Sequence, residues 1–311
     1  MFHVKHPGNK NKLFHVKHMH YICNDFPRRC GAERGETGRG ACRMGAEPVV
    51  ARAALHFDEE PVISGTRGSG TVFFSGCALG CIFCQNGVIS HENFGKQISV
   101  GTLKKIYRDL IAQGAQNINL VNPSHFSRAI LESLEEKLPV PVVYNTGGYD
   151  SVETLKQFEG KVQVYLPDLK YVSRDLSARY SKAPDYFEAA TAAITEMLRQ
   201  TGSVEIDEDG RMVRGVMIRH LVLPGCAEDS MRVLDWIAEY AKGAWVSLMA
   251  QYTPMGADVD DLSRRVFPRA YRKVVRHLEK LGLEDGFCQE LESGDEKYIP
   301  GFDLTGVPDE E

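Results

Sequence analysis

The chain has no apolar run approaching the ~18 residues that a membrane-spanning helix needs, so no span is expected. No charged-then-apolar stretch opens it either, so no signal peptide is expected. Basic charge is in short supply: 37 Lys and Arg against 42 Asp and Glu leave a net charge of −5. That balance excludes a general nucleic-acid binder, which needs a basic face for phosphates. With no secretory signal, the eight cysteines read as reduced metal ligands in a cytoplasm and not as disulfides. A length of 311 residues allows one large barrel-like domain or two smaller ones with an ample core.

Three of those cysteines are concentrated. Cys77, Cys81 and Cys84 lie in the run Phe74-Ser-Gly-Cys-Ala-Leu-Gly-Cys-Ile-Phe-Cys-Gln-Asn86. Thiols so spaced in one tight loop can reach three corners of a cubic iron–sulfur cluster, which is normally held by four thiolates. With three, one iron keeps an open coordination position, and an open position belongs to a metal that does chemistry. A structural zinc site is the competing reading, but it wants four closed ligands, usually in paired Cys-x2-Cys elements.

The pattern Cys-x3-Cys-x-aromatic-Cys, with Phe83 as the aromatic and a strand-like Thr71–Ser75 feeding the loop, resembles the signature of radical S-adenosylmethionine (SAM) enzymes. The resemblance implies that Cys77, Cys81 and Cys84 ligate a [4Fe-4S] cluster whose open iron binds SAM. One electron then cleaves SAM to a 5′-deoxyadenosyl radical that abstracts a hydrogen atom. The cofactor does the hard chemistry and the protein orients it.

Two amino-terminal segments stand apart. Phe2-His-Val-Lys-His6 recurs as Phe14-His-Val-Lys-His18 directly before Met19, which could be a His-rich metal tract. Back-translated, the repeat is a DNA palindrome that resembles a bacterial chromosome-partition site. Residues 1–18 are therefore expected to be translated regulatory DNA, a non-native leader with the true start at Met19, an expectation that other codons at both repeats would overturn. Next comes a Cys- and Gly-rich extension, residues 19–60, with Cys23, Cys30 and Cys42 and with Gly31, Gly35, Gly38 and Gly40. It has too few apolar residues for its own core, so it should rely on a metal or on docking to the main domain. It is similar to the extension of a subgroup of pyruvate formate-lyase-activating-enzyme-like radical SAM proteins, which carry Cys-x2-Cys-Pro-Arg-x-Cys. Here Phe26 replaces the second cysteine, and a second cluster would need Cys226 or Cys288. Ordinary reduced thiols and a metal site stay equally open.

From residue 61 onward, strand-like and helix-like segments alternate. Strands are expected at Thr71–Ser75, Asn117–Val121, Pro141–Asn145, Val162–Leu166, Gly215–Leu223 and Ala244–Met249. Helices are expected at Gly101–Gln113, with Leu103, Ile106, Tyr107, Leu110 and Ile111 on one face, at Ser127–Lys137, from Ser151, and at Pro184–Gln200. Glu208–Arg211 reads as a hairpin turn. Six βα units with apolar strands predict an α/β fold with a parallel sheet. The radical SAM resemblance implies a partial (β/α)6 TIM-like barrel over residues 61–311.

Reactive groups of such barrels gather at the carboxyl ends of strands, and polar residues stand there: Asn122, Ser124, Asn145, Asp168, Lys170 and Arg219. The stretches Asp168-Leu-Lys170 and Arg219-His-Leu-Val-Leu-Pro-Gly225 resemble the activating-enzyme branch, and the resemblance places SAM near them. Asp168 and Lys170 could equally be an ion pair at the rim. Arg219 suits a carboxylate of SAM or a buried partner such as Asp168. His220 must face away from Arg219 in a strand and so could be a packing histidine. Many radical SAM enzymes carry Gly-Gly-Glu-Pro after the second strand, whereas this chain has Asn122-Pro-Ser-His125, so Asn122 and Ser124 would offer neutral oxygens to the SAM ammonium. Taken together, the resemblance implies a cytoplasmic radical SAM oxidoreductase of the glycyl-radical-activating type. It would take electrons from a donor such as flavodoxin or ferredoxin and act on a glycyl radical enzyme. Action on a small molecule or another protein is the alternative, followed by a non-catalytic iron–sulfur or zinc protein.

Overall fold

The computed structural model describes residues 21–35, 40–256, 259–291 and 300–309; the expected leader lies outside them. Strands β1 (Tyr21–Ile22) and β2 (Glu33–Arg34) form a separate antiparallel ribbon. The other described strands join one sheet: β3 (Val49–His56), β4 (Ser69–Phe74), β5 (Lys96–Gln97), β6 (Ile118–Val121), β7 (Val142–Thr146), β8 (Val164–Pro167), β9 (Glu205–Ile206), β10 (Met212–Leu221), β11 (Trp245–Met249) and β12 (Gly286–Cys288). The lateral order is β12-β11-β10-β8-β7-β6-β4-β3-β5, with β9 paired to β10. Neighbours from β4 to β12 run parallel, while β3 and β5 add antiparallel edges.

The six expected strands are β4, β6, β7, β8, β10 and β11, and they lie across the sheet in chain order. Crossover helices explain why: α3 (Val100–Ala112), α4 (Ser127–Ser133), α5 (Val152–Lys156), α7 (Tyr186–Thr201) and α8 (Ala227–Tyr240) return the chain between parallel strands. Four further helices are short or flank this set: α1 (Pro61–Ser64), α2 (Gly87–Ser90), α6 (Arg174–Ser181) and α9 (Pro268–Lys280). Every residue of β4, β7 and β8 is buried, as expected where helices cover a parallel sheet. Helix α3 buries Leu103, Ile106, Tyr107 and Leu110, and Ser99 caps it by accepting from Thr102 N at 3.1 Å. Among the described residues no pairing joins β12 to β5, so this α/β sheet follows an open path. Side chains of β6, β7 and β10 nevertheless meet at one carboxylate, Glu59, so the sheet curls around it as in a partial barrel.

Several expectations need correction. β3 sits inside the expected 19–60 extension but pairs with β4 over six residue positions, so the main sheet begins near residue 49. The apolar stretch of β3 is interrupted by Arg52, which masked its strand period. Helix α4 ends at Ser133, not Lys137, because Leu134 leaves helical geometry and its carbonyl accepts from Lys161 Nζ at 2.9 Å. β10 begins at Met212, three residues early, through a bulge between Met212 and Arg214. The Glu208–Arg211 turn does link β9 to β10.

Among the described residues of the extension, Cys23, Phe26, Cys42 and Met44 are buried in the main apolar cluster and not in a separate one. The segment near residue 305 lies along β3, with Ala53 N donating to Thr305 O at 2.8 Å and Leu304 N to Ala51 O at 3.0 Å. Among the described residues no helix is long and apolar enough to cross a membrane.

Candidate cofactor and metal site

Strand β4 ends at Phe74 and delivers the cysteine loop to the carboxyl edge of the sheet. Phe83 pins the loop from within, edge-on to Tyr180 and Tyr252 with both ring centroids at 6.4 Å. Ile82 N donates to Tyr180 O at 2.9 Å, which ties the loop to α6. Cys81 Sγ lies 2.9 Å from Ser181 Oγ, which lies 2.9 Å from the Tyr171 hydroxyl. Burial pushes the Cys81 thiol up to about 12, against the pull of the Lys170 ammonium. Burial also raises Cys84, opposed by the Ser90 hydroxyl. These thiols therefore stay protonated until a cation takes them.

Beside the loop is a cavity of about 190 Å³ lined in part by Cys81, Cys84, Asp168, Lys170, Arg219 and Tyr252. Its charged wall is a network. Arg219 Nε lies 3.1 Å from Asp168 Oδ1, NH1 3.3 Å from Glu59 Oε2, and NH2 2.6 Å from Asn145 Oδ1. Lys170 Nζ pairs with the other oxygen of Asp168. Burial alone would raise Asp168, but Lys170 and Arg219 outweigh it and hold the carboxyl below its usual range. Burial wins at Glu59, whose carboxyl is raised to about 7 despite Arg219.

The structure thus brings Cys81, Cys84, Asp168, Lys170 and Arg219 to one cavity. Cys77 stands in the same loop, where its sulfur accepts from Leu79 N at 3.4 Å. Asn145 joins through Arg219. Asn122 instead donates its side-chain amide to Gly76 O at 2.6 Å, bracing the start of the loop. Ser124 donates to the buried Asp150 at 2.6 Å, a carboxylate also bonded by Thr146 and Tyr144. His220 faces away from Arg219, its Nδ1 at 2.7 Å from Leu169 O. Cys23 and Cys42 present their sulfurs to the buried Arg34 guanidinium at 3.7 and 3.3 Å. Cys30 is exposed, yet Gly40 leaves a gap with Cys30 Sγ 3.1 Å and Cys42 Sγ 4.0 Å from where a Cβ would stand. Two site residues escaped sequence reasoning, Glu59 and Asp150. Glu59 hides in the acidic run Asp58-Glu-Glu60, which reads as a solvated turn; only the curl of the sheet turns it inward.

No protein-family model matches the chain. It is 31% identical over 288 residues to the uncharacterized protein MJ0674 of Methanocaldococcus jannaschii, covering 86% of this chain and 78% of that protein. The chain belongs to the MJ0674 family. Among solved structures, SuiB of Streptococcus suis overlaps 69% of this chain in two crystal structures. Bound to its precursor peptide SuiA it gives a TM-score of 0.47 at 11% identity. Bound to S-adenosylmethionine it gives 0.46 at 12%. The chain spans only 46% and 48% of those SuiB chains. A cysteine-to-alanine mutant of spore photoproduct lyase, with a dinucleoside spore photoproduct, overlaps 77% of this chain and 80% of its own at a TM-score of 0.47 and 11% identity. The cysteine loop and the charged wall beside it are the chemically distinctive features of this MJ0674-family chain.

The donor set of the loop, three thiols and no histidine or carboxylate, fits a cluster. A cluster gives each thiolate its own iron, so its ligands stand apart. Three soft donors in one loop suit that use. At Arg34 the reverse holds: a guanidinium already occupies the space between Cys23 and Cys42.

Proposed function

We propose that this chain is a radical SAM enzyme, with Cys77, Cys81 and Cys84 holding a [4Fe-4S] cluster and SAM bound in the adjoining cavity. The observation that carries this reading is the meeting of a three-cysteine loop with the Asp168–Lys170–Arg219 wall in one cavity at the carboxyl edge of a parallel sheet. When bound, cluster and SAM together supply a carbon-centred radical able to take a hydrogen atom from a substrate. The chain's own residues do the positioning. Lys170, with Asp168 behind it, presents an ammonium suited to a carboxylate. Arg219 is spent on Asp168, Glu59 and Asn145, so it stiffens the wall. Phe83, Tyr180 and Tyr252 form an aromatic side against which the loop packs.

The finer reading is activation of a partner glycyl radical enzyme in the cytoplasm, with electrons from a flavodoxin or ferredoxin. It is supported by the likeness of Asp168-Leu-Lys170 and Arg219–Gly225 to that branch. Anaerobic reconstitution tests the coarse reading: about four irons per chain and reductant-dependent release of 5′-deoxyadenosine are expected. A triple Cys77→Ala, Cys81→Ala, Cys84→Ala variant that still releases it would overturn the proposal. Appearance of a glycyl radical signal in an added partner enzyme decides for activation, and turnover without one decides for another substrate.

A further inference from the structure

The Cys-rich extension touches the catalytic loop directly, and one side chain does most of the touching. Arg28 Nε donates to Ala78 O at 2.5 Å and NH2 to Leu79 O at 3.4 Å, both between Cys77 and Cys81. The same guanidinium donates to Ser181 O at 3.0 Å and Lys182 O at 2.8 Å, at the carboxyl end of α6. Every hydrogen bond described for Arg28 goes to a main-chain carbonyl. One cation thus grips two segments that meet at Cys81, since the Ser181 hydroxyl is the neighbour of Cys81 Sγ.

We infer that Arg28 is a positioning residue for the cluster loop, locking it to α6 and placing a fixed positive charge on the loop's main chain between Cys77 and Cys81. The inference rests on the proposed cluster and adds a role for the extension. Helix carboxyl ends leave carbonyls without partners and carry negative dipole character, so a guanidinium there is well placed. A loop between a strand end and a short helix has few bonds of its own, and a planar fork with five donors reaches four carbonyls on two segments, more than the three donors of an ammonium can. Arg28 itself is held firmly. Phe26 is buried in the main core, Arg29 N closes a turn onto Phe26 O at 2.9 Å, and the Tyr149 ring lies 5.8 Å from the guanidinium. A second contact fixes the loop's start: Arg34 donates to His125 O at 2.9 Å, and His125 Nε2 donates to Ser75 O at 2.7 Å. Gly76 lies so close under the extension that a Cβ would stand 2.8 Å from Cys42 O. Charge and hydrogen bonding around a cluster's sulfurs set its reduction potential, so a cation here favours the reduced state.

The test compares the full chain with Arg28→Gln and Arg28→Lys. In metal-free protein, hydrogen exchange should quicken several-fold over residues 76–86 and 178–183 in both variants. After reconstitution, an EPR-monitored redox titration should give a more negative midpoint in Arg28→Gln and a near-wild-type one in Arg28→Lys, a difference that a purely structural role would not produce. Unchanged exchange in both variants, or a potential that ignores the charge, overturns the inference. If Arg28→Gln does not fold, Arg28→Lys decides: faster loop exchange supports the clamp and wild-type exchange removes it. If the wild-type chain takes up no iron, the proposed function falls, while the exchange arm still judges the clamp.

Discussion

Replacing Arg219 with Gln should destabilise the protein more at pH 8 than at pH 5. Arg219 compensates two part-buried carboxylates and bonds Asn145. Removing one member of such a pair strands the other charge. Glu59 is the group stranded, since Asp168 keeps Lys170. Its folded carboxyl already sits near 7 against an ordinary 4.5, and Arg219 is what restrains it; without Arg219 it rises further. A carboxylate raised in the folded state adds nothing unfavourable below its unfolded value, where both states are protonated. It costs stability progressively above that value, at about 1.4 kcal/mol per unit until the folded pKa is passed. The expected loss is therefore about 1–2 kcal/mol at pH 5, mainly lost hydrogen bonds, and about 1.4 kcal/mol more than that at pH 8, where wild-type Glu59 has ionised at about 7 and the variant's carboxyl has not. Urea titrations of wild type and variant at the two pH values measure it. A double variant with Glu59→Gln should recover much of the pH 8 loss. Equal losses at both pH values, or less than about 1 kcal/mol at pH 8, would refute the reasoning.

Cys81→Ala should leave the fold intact, since Ser181 keeps its Tyr171 partner, while 5′-deoxyadenosine release drops below detection by chromatography. Gly148→Ala should lose at least about 2 kcal/mol in thermal unfolding: Gly148 has φ +81° and a Cβ there would stand 2.1 Å from Asp168 O. A wild-type melting temperature would show that the Thr146-Gly-Gly-Tyr149 turn tolerates a side chain. Phe26→Ala should cost about 3–5 kcal/mol of docking energy, and limited proteolysis should cut residues 21–46 well before the main sheet. Simultaneous cutting of both would mean that the extension is not a separable plug.

Six of the seven described parallel strands were legible because their apolar runs are short, bounded by turns and covered on both faces, whereas β12 spans only three residues. Cys77, Cys81 and Cys84 were legible because covalent spacing alone brings them together. Lys170 and Asp168 were legible as neighbours on one side of a strand, and the face opposition of Arg219 and His220 follows from the same pleat. What the sequence hid depends on distance along the chain. Glu59 meets Arg219 across 160 positions, and nothing local marks it among three acidic residues. Arg28 meets Lys182 across 154. Ser124 looked like a cofactor ligand because its strand end is polar, but hydroxyls of β7 and its loop had already gathered Asp150 beside it.

The strip near residue 305 that lies along β3 has a bearing on how the chain is made. β3 is among the first strands to leave the ribosome, and one side of it is soon matched by β4. Its other side stays largely unsealed until a distant segment arrives, because Ala51 and Ala53 find their partners only at Leu304 and Thr305. An unsealed strand edge invites pairing with a neighbouring chain. The interval between synthesis of β4 and arrival of residues 304 and 305 is thus a period of exposure to aggregation, and that strip acts as a seam drawn over the edge of β3.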